Sequence, residues 1–195
     1  MRITGGRFGG RVLVAPEDDR VRPTSDKVRQ AIFNVLRHRD FGSGFSLEGA
    51  SAVDLFAGTG ALGLEAISQG AAFALFVEED VESRALIRRN VEALGLTGAT
   101  KIWRRDATSL GPMPAGSGGP FTLGFLDPPY GRSLGSRGIQ SLADGGWLAH
   151  NAVIVVEGPR GEELLLPQTF ECLDDRSYGG TRVRFLRFQP SRLAE

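Results

Sequence analysis

The sequence predicts an α/β fold with a mostly parallel sheet, on three observations. Short apolar runs at 51–57, 73–78, 100–103, 121–126 and 152–156 are each too brief for a helix and alternate with helix-period segments or loops, the order of strands joined by crossovers. A further pair of runs, 170–173 and 182–188, is separated only by Ser177-Tyr178-Gly179-Gly180 and its neighbours, too little chain for a parallel crossover, so these two should form an antiparallel hairpin. The chain has 195 residues, 41% hydrophobic and 24% charged, enough for one compact body with a small extension. We expect residues 1–40 to form that extension and 41–195 the main domain.

Taken in order, residues 2–14 read as a glycine-broken hairpin and 17–20 as a solvated turn. Thr24 stands where a helix N-cap belongs, with Asp26 in the first turn. Val28, Ala31, Ile32, Val35 and Leu36 then recur at i, i+3, i+4, i+7 and i+8, one apolar face of a helix that stops before Phe41-Gly42-Ser43-Gly44 and docks the extension onto the sheet. Further helices are expected over 61–69 and 81–94, the second with Val81, Ala85, Leu86, Val91 and Leu94 facing inward. The Gly-, Pro- and Ser-rich stretch 111–120 reads as a loop inside the domain, and Cys172 as a core residue of a strand.

Several classes of protein do not fit. No apolar run approaches membrane-spanning length, and the first residues lack an apolar signal core, so a cytoplasmic protein without membrane partners is expected. One cysteine cannot form an internal disulfide, and with only His38 and His150 beside it no metal site is expected. Net charge is zero, but unevenly spread. Residues 1–39 hold nine Lys+Arg against four acids, 176–194 five against none, and 40–175 nine against eighteen. Basic ends around an acidic body point to arms that hold phosphates, with Arg2, Arg7, Arg11, Arg22 and Thr24 as the candidate contacts.

Chemistry concentrates at two motifs. Asp127-Pro128-Pro129-Tyr130 follows the run 121–126, where a buried strand opens into a loop. Two prolines remove two N–H groups and leave carbonyl acceptors, Asp127 adds a carboxylate and Tyr130 an aromatic face; acceptors beside a ring suit the exocyclic amine of an unstacked nucleobase. Upstream, Asp54-Leu55-Phe56-Ala57-Gly58-Thr59-Gly60-Ala61-Leu62-Gly63 breaks from strand into a glycine turn and then helix, matching G-x-G-x-x-G at Gly58, Gly60 and Gly63. Glu78 closes the next strand, where an acid that holds ribose hydroxyls is expected, a pattern shared with dinucleotide sites. Asp54 would repel a pyrophosphate and attract a methionine-type ammonium, which favours S-adenosylmethionine over NAD. Asp106, after a third strand, can accept from an adenine amino group.

Together, D-L-F-A-G-T-G-A-L-G-L-E-A at 54–66 and D-P-P-Y at 127–130 resemble class I methyltransferases acting on exocyclic amines. Residues 1–11, Arg22-Pro23-Thr24-Ser25-Asp26-Lys27-Val28-Arg29, and Tyr178-Gly179-Gly180-Thr181 narrow this to a resemblance to the RsmD family of 16S ribosomal RNA guanine-N2 methyltransferases, over nearly the whole chain. The resemblance implies a Rossmann-like seven-stranded sheet with helices on both faces and a final antiparallel strand. It implies that Asp54, Phe56, Ala57, Gly58, Thr59 and Gly60 surround the methionine end of S-adenosylmethionine, that Glu78 holds the ribose, that Asp106 and Ala107 border the adenine, and that Asp127, Pro128, Pro129 and Tyr130 form the catalytic loop. The implied partner is 16S rRNA within a small-subunit ribosomal particle. Two departures stand out: Arg104 and Arg105 precede Asp106 in place of smaller or uncharged residues, and 131–138 is glycine-rich where a regular helix start is usual.

Other readings remain at this level. A DNA or other RNA amino-methyltransferase uses the same loop, and a non-catalytic rRNA-binding assembly factor needs only the basic ends. An NAD(P)-dependent oxidoreductase explains the glycines and Glu78 but leaves 127–130 without a role.

Overall fold

The computed structural model describes residues 1–16, 25–42, 44–129, 131 and 133–190. Seven strands, β1 (Ser51–Leu55), β2 (Phe73–Val77), β3 (Thr100–Trp103), β4 (Phe121–Leu126), β5 (Leu148–Pro159), β6 (Phe170–Tyr178) and β7 (Thr181–Phe188), form one sheet in the order β3-β2-β1-β4-β5-β7-β6. All neighbours from β3 through β5 pair in parallel, while β7 runs antiparallel to both β5 and β6. This is the predicted mixed sheet. Strand order reverses between β1 and β4, so the crevice beyond their carboxyl ends is where such a sheet receives a ligand.

Helices cover both faces. On one side α1 (Asp26–His38), α2 (Ala61–Ser68) and α3 (Val81–Ala93) bury Ile32, Leu64 and Ile87 in a core with Phe76, Phe125 and Phe185 of the sheet. On the other, α4 (Leu134–Asp144) buries Ile139 and Leu142 against Leu55, Leu126 and Ile154, in a core closed by Trp147. Strands buried on both faces read as continuous apolar runs, which is why four of the parallel five are so plain in the sequence. In β5 the expected core 152–156 is embedded in a longer strand; Asn151, with φ +62°, interrupts the apolar pattern before it.

Three expectations are corrected. The N-cap of α1 is Ser25, whose hydroxyl accepts from the Val28 N–H, and not Thr24, which lies outside the described residues. The inner face of α3 is only partly the one expected: Val91 is buried and Leu94 packs against the core, but Ser83, Arg84, Ile87 and Asn90 are buried too, Ala85 and Leu86 are half-buried, and Val81 is 64% exposed. Polar side chains hide in that face because they are hydrogen-bonded, Arg84 to the carbonyls of Glu78 and Glu79, and Asn90 as described below. Cys172 is exposed on the edge strand β6 and is no core residue.

The amino-terminal hairpin is present as read. Arg2 bridges Val12, a 3-10 turn spans Gly6–Phe8, and the N–H of Leu13 donates to the Met1 carbonyl. It is clamped by charge rather than by apolar area alone. Glu65 of α2 is fully buried and accepts from Thr4 N (2.8 Å), Thr4 Oγ1 (2.9 Å), Gly5 N (2.8 Å), Gln69 Nε2 (2.7 Å) and Arg29 Nε (3.2 Å). Arg29, also fully buried, donates in addition to Asp26 and to the Arg2 carbonyl. Residues 1–5, α1 and α2 are thus joined at one carboxylate, the arrangement in which a buried charge is tolerated.

Candidate active site

Where β1 ends, the chain turns sharply. Phe56 takes φ +57°, and Gly58 and Gly60 take +56° and +79°, with Gly60 capping α2. An L side chain resists that region, so a non-glycine residue held there marks a strained strand exit of the kind found beside ligands. Gly63 serves packing: a Cβ on it would stand 2.4 Å from a ring carbon of buried Phe76 and 3.3 Å from Asp54 Oδ2. That closeness lets the Gly63 N–H donate to Asp54 Oδ2 at 2.9 Å. Asp54 is fully buried, and burial pushes its carboxyl well above the usual carboxylate range; Asp127 and Glu78 push the same way, against the Gly63 hydrogen bond.

Glu78 follows β2 and holds the turn from both sides, accepting from Gly58 N and Asp80 N, each at 2.8 Å. Asp106 follows β3; its Oδ1 accepts from Thr108 Oγ1 (2.7 Å) and Thr108 N (2.8 Å), and these bonds hold its pKa below the ordinary value, with Arg137 adding to the effect. Arg105, one of the unexpected arginines, turns its guanidinium onto the Leu110 carbonyl and over Trp103, where it braces the loop. After β4, Asp127 is half-buried, Pro128 buried and Pro129 exposed. Glycines at 135 and 138 let α4 approach this exit: a Cβ at Gly138 would lie 2.9 Å from Leu126 and 3.2 Å from Phe56.

These segments share one cleft of about 1890 Å³. It is lined by Asp54, Phe56, Ala57, Gly58, Thr59, Glu78, Asp106, Ala107, Asp127, Pro128 and Pro129, so the structure brings together eleven of the expected cofactor and loop residues. Gly60 sits just behind, shaping the turn as the α2 cap. Tyr130, Arg22 and Thr24 lie outside the described residues. Among the described residues eight acids and three arginines line the cleft, an excess that repels a pyrophosphate and suits a cationic ligand.

Pattern reading misses several wall residues. Met1, Val14, Ala15 and Pro16 roof the cleft from the hairpin, which Asn90 fixes in place: its Nδ2 donates to the carbonyls of Thr59 (3.1 Å) and Val14 (3.0 Å), and its Oδ1 accepts from Val14 N (2.7 Å). Glu157 of β5 and Tyr178 to Thr181 of the β6–β7 hairpin also line the cleft. Of these, Met1, within residues 1–11, and Tyr178-Gly179-Gly180-Thr181 carry a signal, as parts of the family resemblance.

The basic ends divide. Four of the five carboxyl-terminal arginines, Arg176, Arg182, Arg184 and Arg187, each pair with an acid at 171–175, at 2.8, 2.6, 3.5 and 2.7 Å, so most of that charge is held within the β6–β7 hairpin; Arg192 lies outside the described residues. In the hairpin, Arg7 and Arg11 are exposed, with no ion pair to an acid among the described residues, and Arg7 lies over the Phe8 ring at 4.7 Å. Arg2 is exposed beside Asp26.

The model of the family described as "Conserved hypothetical protein 95" matches residues 1–187. The chain belongs to this family, the RsmD family. "Ribosomal RNA small subunit methyltransferase D" of Escherichia coli K12 is 38% identical over 157 residues, covering 80% of this chain and 74% of that protein. The Haemophilus influenzae protein of the same name is 28% identical over 180 residues, covering 92% and 89%. Among solved structures, Escherichia coli yhhF matches with a TM-score of 0.80 at 31% identity, over 97% of this chain and 98% of that one. An RNA methyltransferase from Salinibacter ruber in complex with S-adenosyl-L-homocysteine shares the fold, with a TM-score of 0.58 at 15% identity over 86% and 94% of the two chains. The fold of the family member described here is that of class I methyltransferases.

Proposed function

We propose that this protein transfers a methyl group from S-adenosylmethionine to the exocyclic N2 amine of a guanine in 16S rRNA, in the cytoplasm and on a small-subunit ribosomal particle. The observation that carries the reading is the meeting, in one acid-rich cleft, of the glycine turn after β1 with the Asp127-Pro128-Pro129 exit of β4. The relatives named for small-subunit rRNA methylation support the class of substrate.

The cleft fits the cofactor by its chemistry. Asp54 would face the ammonium, Glu78 the ribose hydroxyls, and Asp106 with Ala107 the adenine, while Phe56, Ala57, Gly58, Thr59 and Gly60 shape the methionine end. Bound there, S-adenosylmethionine supplies a methyl group on a strongly electrophilic sulfonium. This chain's own work is orientation. Asp127 and the Pro128 carbonyl accept the two hydrogens of the target amine, aim its nitrogen and push its lone pair out of conjugation with the base, and Tyr130 stacks on the ring. Pro128 and Pro129 offer no N–H of their own to compete for those acceptors. The extension 1–40 would hold RNA phosphates through Arg2, Arg7, Arg11 and Arg22, with Thr24 beside them.

The test is methyl transfer from isotope-labelled S-adenosylmethionine to small-subunit particles, naked 16S rRNA and duplex DNA, followed by nucleoside analysis. Label in N2-methylguanosine from the particle is expected. Label in adenine or in DNA, or none with cofactor binding intact, would overturn the assignment.

A further inference from the structure

Glu157 is a buried carboxylate that the reaction as described does not use. Leu126 of β4 and Val156 of β5 are register partners with side chains in the α4-side core. Glu157, the next residue of β5, therefore turns to the opposite side, and Asp127, the first residue beyond β4, comes beside it if the strand spacing of about 5 Å carries on for one more residue. Glu157 is also the register partner of Val183, which belongs to the core on that opposite side. Both carboxylates line the one cleft, as do Tyr178 and Thr181.

A base that offers its amine to Asp127 presents its neighbouring ring edge to whatever stands beside Asp127. Guanine carries there an N1–H, a donor adjacent to the N2 amine; adenine and 2-aminopurine carry a bare ring nitrogen, an acceptor. A carboxylate accepts from the first and repels the second. Resting on the proposed reaction, we infer that Glu157 is the specificity-determining residue that reads the N1–H of the target guanine. Asp127 orients the nitrogen that reacts. Glu157 tests which base it belongs to.

The decisive comparison is single-turnover methylation of target RNA carrying either guanine or 2-aminopurine at the modified position, by the wild-type chain and by Glu157→Gln. 2-Aminopurine keeps the N2 amine and lacks the N1–H. Each ratio comes from one enzyme preparation on two RNAs, so a loss of folded protein cancels, and calorimetry with S-adenosylmethionine checks the cofactor site. Wild type should prefer guanine by at least about tenfold, since a site built around a hydrogen bond rejects the analogue that lacks it. Glu157→Gln should lose most of that preference, because its amide can donate to the bare nitrogen. An unchanged ratio in Glu157→Gln overturns the inference alone. A wild-type chain that leaves guanine unmethylated overturns the proposed reaction, and this inference with it.

Discussion

Replacing Glu65 by Ala should unfasten the amino-terminal hairpin and, with it, the roof of the cleft. The carboxylate accepts five hydrogen bonds, from Thr4, Gly5, Gln69 and Arg29. Hydrogen bonds to a charged group contribute about 1.5–3 kcal/mol each, but a plain sum of roughly 7–15 kcal/mol would match the whole stability of a domain. The sum is not reached, because a hairpin that detaches regains water for Thr4 and Gly5. What cannot be relieved so easily is Arg29, fully buried and deprived of its carboxylate partner on α2. Breaking one partner from a buried pair costs about 3–5 kcal/mol. At this length each kcal/mol lowers the melting temperature by roughly 2–4 °C, so Glu65→Ala should melt about 6–20 °C below wild type. Urea denaturation would give the free energy, and amide exchange the location: the N–H groups of Ile3 and Leu13, bonded to Arg11 and Met1, should lose protection before those of β4. A loss under about 1 kcal/mol with those amides still protected would refute the clamp.

Two further outcomes follow from charge. Replacing Arg7 and Arg11 by Ala should lower the slope of log RNA affinity against log salt by about 0.7–0.9 for each phosphate the hairpin no longer holds, whereas Arg182→Ala, whose guanidinium is held by Asp175, should leave the slope unchanged; filter binding from low to high salt separates the two. The carboxyl of Asp54 is held above the usual range in the free protein, and a cationic ligand favours its charged form, so S-adenosylmethionine affinity should rise with pH through that raised value, with proton release on binding. Calorimetry in buffers of different ionisation enthalpy reads the proton directly, and Asp54→Asn should abolish both the release and the pH dependence.

The sheet is legible because four of its five parallel strands are buried on both faces and stand out as apolar runs, and the chemistry because Asp54, Glu78, Asp106 and Asp127 all sit at strand ends that a parallel sheet gathers at one edge. What stays hidden depends on pairing. Arg29, Glu65 and Asn90 have side chains that a hydrophobic pattern assigns to solvent, yet each is buried through partners far away in sequence. On α3 the apolar pattern finds Val91 but misplaces Val81, because Ser83, Arg84 and Asn90 take buried positions that the pattern leaves to solvent. The carboxyl-terminal arginines look unopposed because their acids lie across a hairpin register, Glu171 against Arg187 and Asp175 against Arg184. Cys172 reads as core on its apolar character, and only the strand order shows it on an edge. Glu157 has no motif around it; it becomes visible once β4 and β5 are in register.

The central claim is that the loop after β4 performs the chemistry, and Asp127→Asn tests it most directly, since the change nearly keeps shape while replacing a carboxylate that only accepts with an amide that also donates. Single-turnover methyl transfer to target RNA should be measured beside cofactor binding for the same protein. If Asp127 acts on the amine in the transition state, the rate should fall by about a hundredfold or more with cofactor affinity nearly unchanged. An Asp127→Asn protein that methylates guanine at the wild-type rate would contradict the assignment.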